Sequence, residues 1–144
     1  MLKCGTYPNP EADNEVHEFT YSLYPHKDGF KQGGTINEAY LLNRPMEAIS
    51  TNGGGDLPSS FSLVSCDCDN VIIETVKQAE NGNGIIIRMY EAWNKKTDAV
   101  INLGFEANKI STCDMTENPI EEIGKGNQVN VKLHNFEIVT LLVE

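Results

Sequence analysis

From Phe61 onward the chain is cut into short runs rich in β-branched and aromatic residues, separated by clusters of Gly, Asn, Asp and Pro. β-Strands joined by tight turns leave this punctuation, because branched side chains fit a pleated surface and the separating residues tolerate turn dihedrals. The runs are Phe61–Cys66, Val71–Val76, Ile85–Trp93, Ala99–Phe105, Lys109–Cys113, Gln128–Leu133 and Glu137–Val143. Seven short strands without long intervening helices predict an all-β fold, an antiparallel β-sandwich rather than a parallel α/β sheet. Val129, Val131 and Leu133 alternate with Gln128, Asn130 and Lys132, so one face of that strand is expected to be buried and the other wet. In Ile85–Ile87 and Leu141–Val143 apolar residues fall on both faces, which predicts central strands. Asn81-Gly82-Asn83-Gly84 supplies residues that accept positive φ and predicts a hairpin turn.

The first 60 residues follow another pattern. Phe19, Tyr21 and Leu23 alternate with Glu18, Thr20 and Ser22, which predicts one further strand over His17–Tyr24. Thr35 followed by Glu38 matches a capping box, the helical pattern continues through Ala39–Leu42, and Arg44-Pro45 ends it, since the residue before proline avoids the α region. Ser50–Gly55, with three consecutive glycines, predicts a flexible link. The expected organisation is therefore 1–32 with a strand, 33–58 with a helix and linker, and 59–144 as the sandwich. A length of 144 residues is enough to bury one core but short for two.

A formal net charge of −10 argues against nucleic acid and anionic membrane as partners, because both are bound through clustered Lys and Arg. No apolar run approaches the roughly 20 residues of a membrane-spanning helix, and the amino terminus lacks the basic-then-apolar pattern of a signal peptide. With no Asn-x-Ser/Thr acceptor and only four cysteines, a cytoplasmic protein without a disulfide framework is expected.

Candidate chemistry is sparse. His17, His26 and His134 have no metal-motif spacing, which favours surface or hydrogen-bonded roles. Cys66-Asp67-Cys68 places two thiols on one side of an extended chain, with Cys4 and Cys113 available to complete a set. Structural zinc usually wants two or more residues between paired ligands, so scattered structural thiols are the better reading. Gly53-Gly54-Gly55 has neither the following Lys-Ser/Thr nor the βαβ frame of a phosphate loop. The acidic stretch Glu117–Glu122 lacks the register of a calcium loop and is expected to be a solvated loop. Trp93 is a candidate sugar-stacking platform, although a lone Trp more often packs in a core or at a rim.

One segment carries a specific resemblance. Tyr7-Pro8-Asn9-Pro10-Glu11-Ala12-Asp13, followed by His17-Glu18-Phe19-Thr20-Tyr21-Ser22-Leu23-Tyr24-Pro25-His26, is similar to a signature of glycoside hydrolase family 38, the α-mannosidases. Further matches are Glu38-Ala39-Tyr40-Leu41-Leu42-Asn43-Arg44-Pro45, Asn70-Val71-Ile72-Ile73-Glu74, the run from Lys77 to Glu91 and Phe136-Glu137-Ile138-Val139-Thr140-Leu141. Where the family commonly has Asp-x-Gly-x-His, this chain has Asp13-Asn14-Glu15-Val16-His17, so the local turn differs at Glu15.

The resemblance implies a parent enzyme that hydrolyses terminal α-mannosides with retention, through a covalent glycosyl-enzyme intermediate and paired carboxylates. It also implies that the nucleophile, the acid/base and the His and Asp ligands of a zinc ion lie in an amino-terminal α/β barrel. None of those motifs matches here. No catalytic residue, metal ligand or cofactor is therefore expected in this chain, and zinc is expected in the absent catalytic domain. Residues 1–32 would end the preceding central β region, and the sandwich would support the catalytic half of its own enzyme, contacting α-mannoside glycans only through that parent. Homo-oligomer formation stays open. Within Lys3–His17, where Pro8 and Pro10 restrict the backbone, Lys3, Glu11, Asp13 and His17 are the residues expected to border the cleft. The rival reading is a free-standing carbohydrate-binding or structural module, against which 8% aromatic residues and one Trp weigh.

Overall fold

The computed structural model describes residues 5, 7–12, 14–56 and 58–144. The chain divides into two compact units, Met1–Ala48 and Ile49–Glu144.

In the first unit the helix forms as α1, Thr35–Asn43. Its start departs from the capping-box expectation: Gly34, at φ 68°, is the cap, and no side chain bonds the first turn. The Gly34 carbonyl accepts from the Glu38 amide, so Thr35 is already helical, and its Oγ1 lies 3.4 Å from His26 Nε2. Glycine occupies this corner because a left-handed residue must lead the chain from the Asp28–Gly33 turns into the helix. The expected strand over His17–Tyr24 pairs with no other strand among the described residues, and Phe19, Tyr21 and Leu23 are all exposed. Alternation prepares a strand, but its backbone groups need a neighbouring ladder to pair with, and no ladder among the described residues includes this segment.

The second unit is all-β. Its strands are β1 (Val64–Cys66), β2 (Val71–Gln78), β3 (Ile85–Glu91), β4 (Thr97–Cys113), β5 (Pro119–Leu133) and β6 (Ile138–Val143). They make one antiparallel sheet in the order β1-β4-β6-β3-β2, with β5 on β4. β4 changes partners along its length: Ile101–Leu103 pairs with β1, Ile110–Cys113 pairs with β6, and β5 follows it throughout. Register shifts between Asn102 and Ser111 mark where the long strand is irregular. β1 also lies against β2, so the sheet is nearly closed around one core of Ile87, Met89, Ile101, Ile110, Leu141 and their neighbours.

The number of strands is one fewer than the seven runs, because Ala99–Phe105 and Lys109–Cys113 are halves of β4. The polar Glu106–Asn108 step between them does not break the strand, since Ala107 is buried and pairs with Gly126. β3 and β6 are central, as their two-sided apolar character predicts. Ile87, Met89, Leu141 and Val143 face the main core, while Ile86 and Leu142 join Ala79 and Cys113 in a second small cluster. Val129, Val131 and Leu133 are buried and Gln128, Asn130 and Lys132 exposed, as their alternation requires.

The turn at Asn81–Gly84 forms with Gly82 at φ 78° and Gly84 at φ 92°. A Cβ on Gly84 would lie 2.5 Å from the carbonyl oxygen of Val143, whereas one on Gly82 would meet nothing within 4 Å. Gly84→Ala is therefore expected to destabilise the sandwich by about 1–3 kcal/mol, and Gly82→Ala by clearly less. Urea unfolding of the two variants checks this; equal midpoints would contradict it.

Candidate functional site

Among the described residues, hydrogen-bonded polar clusters occur in both units. In the first, Asn9 Oδ1 accepts from the Glu11 amide at 3.0 Å, and the Asn14 amide donates to the Glu11 carbonyl at 3.2 Å. Together with the bond from the Ala12 amide to the Asn9 carbonyl at 3.2 Å, the Asn9 side chain folds Asn9–Ala12 into a compact turn, the Asx arrangement expected where a short side chain replaces a backbone partner. Of the four expected cleft-bordering residues, Glu11 lies in this turn and His17 follows it, both exposed. Lys3 and Asp13 lie outside the described residues.

In the second unit the polar centre is Glu91, which the sequence pattern did not single out. Its side chain is 1% exposed. Oε1 accepts from Asn70 Nδ2 at 2.9 Å and from the Trp93 amide at 2.7 Å. Oε2 accepts from the Phe136 amide at 3.0 Å and the Lys95 amide at 3.1 Å. Burial pushes the Glu91 carboxyl up, but the donors from Asn70, Phe136, Trp93 and Lys95 together outweigh it and hold the group down at about 2. Asn70 Nδ2 also donates to Thr97 Oγ1 at 2.6 Å, so the carboxylate ties the ends of β2, β3, β4 and β6 into one knot. The two left-handed residues in these loops, Asn94 at φ 60° and Phe136 at φ 56°, are held beside it, and Asn135 Nδ2 donates to Asn94 Oδ1 at 2.9 Å. A period-2 signal existed for Glu91: Ile85, Ile87 and Met89 face the core, and the next residue in that register is this glutamate.

Trp93 is half-buried, with its backbone bonded to Glu91. At the opposite hairpin Asp114 accepts from the amides of Thr116 and Asn118, both at 2.9 Å, and from their side chains. Those bonds, led by the Asn118 side chain, bring its carboxyl down to about 2. Glu117 accepts from the Glu80 amide at 2.8 Å and pairs with Lys77 at 2.8 Å, which joins the β2–β3 and β4–β5 hairpins. The acidic stretch Glu117–Glu122 is thus not simply a solvated loop: Glu117 is a tie, and Glu121 and Glu122 belong to β5.

Among the described residues Cys66, Cys68 and Cys113 are free thiols. The Cys68 amide donates to Cys66 Sγ at 3.4 Å and Cys68 Sγ donates to the Asp98 carbonyl at 3.8 Å. Burial, then the neighbouring Asp67, pushes the Cys68 thiol up to about 11, and burial raises Cys66 and Cys113 as well. Thiols held protonated are poor nucleophiles. Among the described residues no group of three His, Cys, Asp or Glu is placed to hold a metal ion. Reductant and a strong chelator are accordingly expected to leave the melting temperature unchanged. A drop of several degrees with either would contradict this, since loss of a real staple or structural metal costs several kcal/mol.

Residues 70–141, half of the chain, match the family described as Glycosyl hydrolases family 38 C-terminal beta sandwich domain. The chain belongs to that family. It is 32% identical to "Alpha-mannosidase 2C1" of Homo sapiens over 150 aligned residues, covering 99% of this chain and 14% of the human protein. Identity to the Mus musculus protein of the same name is 30%, again with 99% and 14% coverage. "Alpha-mannosidase G" of Dictyostelium discoideum is 27% identical over 97% of this chain and 13% of its own length. The chain therefore spans about a seventh of the curated relatives it matches. In this family 38 sandwich the matched segment runs from Asn70 to Leu141, so it contains the whole Glu91 knot and both hairpins.

Proposed function

We propose that the chain is a non-catalytic, carboxy-terminal β portion of an α-mannosidase and that it supports the catalytic half of that enzyme. The observation that carries this is the end-to-end match of the chain to 14% of proteins named as α-mannosidases. The geometry favours a supporting role over a chemical one. The buried Glu91 and the turn-forming Asp114 spend their oxygens on donors of the same unit, and Glu117 is occupied by Lys77 and the Glu80 amide. A carboxylate committed in this way is a poor nucleophile or proton donor toward an outside substrate. The exposed Phe19, Tyr21 and Leu23 supply an apolar edge of the kind that packs against further β structure of the parent. Zinc, as the resemblance implies it, would be held by the preceding barrel and not by this chain.

Within this reading Lys3, Glu11, Asp13 and His17 border the parent's cleft and Trp93 does not carry the chemistry. In the full-length enzyme His17→Ala is expected to lower kcat/KM about tenfold with little change in melting temperature, because a lost transition-state contact shows in rate rather than in global stability. Unchanged kinetics combined with a lower melting temperature would make the segment packing material instead. The encoding reading frame gives a second test: an upstream barrel with nucleophile and zinc-ligand motifs is expected, and a stop codon directly upstream would favour a free-standing module.

A further inference from the structure

We propose that Asn52 is a site of spontaneous deamidation in the folded protein, selected from three Asn-Gly pairs by its geometry. The pairs are Asn52-Gly53, Asn81-Gly82 and Asn83-Gly84. In each, the backbone nitrogen of the glycine loses its proton and attacks the asparagine Cγ. A new N–Cγ bond closes a five-membered succinimide, and the side-chain nitrogen departs as ammonia. Water then opens the ring at either carbonyl, giving aspartate or its β-linked isomer. The net change is one water taken up and one ammonia released, with no oxidant or reductant. Glycine favours the attack because it has no Cβ to crowd the ring and because its backbone reaches the required dihedrals.

What separates the three pairs is how much native structure must open before that attack. Asn52 and Gly53 are exposed, lie outside any helix or strand, and are followed by Gly54 and Gly55. The bond on the Gly53 amide is to Thr51 Oγ1 at 3.3 Å, long for an N–H donor. At Asn81 both reacting groups are engaged: the Gly82 amide donates to the Ala79 carbonyl at 2.9 Å, and Asn81 Oδ1 accepts from the Asn83 amide at 2.8 Å. Asn83 precedes Gly84, whose carbonyl accepts from the Ala79 amide at 3.1 Å and on which an added Cβ would lie 2.5 Å from the Val143 carbonyl oxygen. Cyclisation at either hairpin position therefore needs the β2–β3 turn to open first, and cyclisation at Asn52 does not.

Each product adds a negative charge to a chain already at −10, and the β-linked product lengthens the backbone by one carbon where the second unit begins. The test is to incubate the purified chain at physiological temperature and mildly alkaline pH and follow all three sites by peptide mass mapping and isoaspartyl-specific enzymatic methylation. Product at Asn52 is expected to accumulate about tenfold faster than at Asn81 or Asn83, with the three rates converging in urea once the hairpin is unfolded. Gly53→Val is expected to slow the Asn52 reaction by about an order of magnitude. Equal or faster reaction at Asn81 or Asn83 in the folded chain would overturn the proposal. So would an Asn52 that stays intact when folded yet reacts in urea.

Discussion

Glu91→Ala is expected to cost the sandwich about 3–5 kcal/mol, the largest effect of any single polar substitution among the described residues. The side chain is buried, and its removal strands Asn70 Nδ2 and the amides of Trp93, Lys95 and Phe136 without their acceptor. Glu91→Gln is the finer probe. It keeps the volume but turns one oxygen into an amide that faces the Asn70 and Trp93 donors or the Lys95 and Phe136 donors, so a loss of about 2–3 kcal/mol is expected. The pH dependence has a defined sign. The carboxyl titrates near 4.5 when unfolded and near 2 when folded, so its stabilisation is complete above pH 4.5 and is lost as pH falls toward 2. The Gln variant should show a flatter acid profile across that window than the native chain. Urea unfolding followed by the fluorescence of Trp93, the single tryptophan, reads both effects beside the knot itself. Identical acid profiles for the two proteins would show that the carboxylate charge does not stabilise the loops.

Ile110→Ala is expected to be comparably severe for an apolar reason, at about 2–5 kcal/mol. Ile110 is fully buried where β4 is flanked on both sides, opposite Val143 of β6 and Gly124 of β5. A cavity there removes contacts from both neighbours, beside the register shifts in the β4–β5 pairing. Ile138, 56% exposed at the start of β6, provides the contrast, and its truncation is expected to change stability by only about 0.5 kcal/mol. Matching losses at the two positions would mean that the core has been misplaced.

The legible parts of this fold are those where one segment's own pattern settles its environment. Val129, Val131 and Leu133 announce a half-buried strand, and Ile85–Ile87 and Leu141–Val143 announce central ones, because burial is written into the side chains themselves. What escaped the pattern is decided by partners. The first half of β5, from Pro119 through Gly126, carries a proline, two glycines and three charges and is largely exposed, so nothing local marks it as a strand. Its pairing with β4 holds it in place, and proline is tolerated because it opens the strand. His17–Tyr24 is the opposite case, a strand pattern with no ladder to join among the described residues. Glu91 was hidden by context: a charged residue within the run Ile85–Trp93 carries no sign of burial in its own side chain, and only the donors arriving from Asn70, Lys95 and Phe136 make it a buried centre. Of the candidate site, Glu11 and His17 are near one turn in sequence and structure, and bordering a cleft is the role proposed for them within the parent.

The role proposed for this family 38 sandwich is to support catalysis without performing it. The most direct measurement is turnover of an aryl α-mannoside by the purified chain with zinc supplied, after contaminating glycosidases have been removed to background. No turnover above buffer is expected, because the chain's buried and turn-forming carboxylates hold its own loops. Activity that copurifies with the chain through every step and disappears on substituting one of its own carboxylates would contradict the claim.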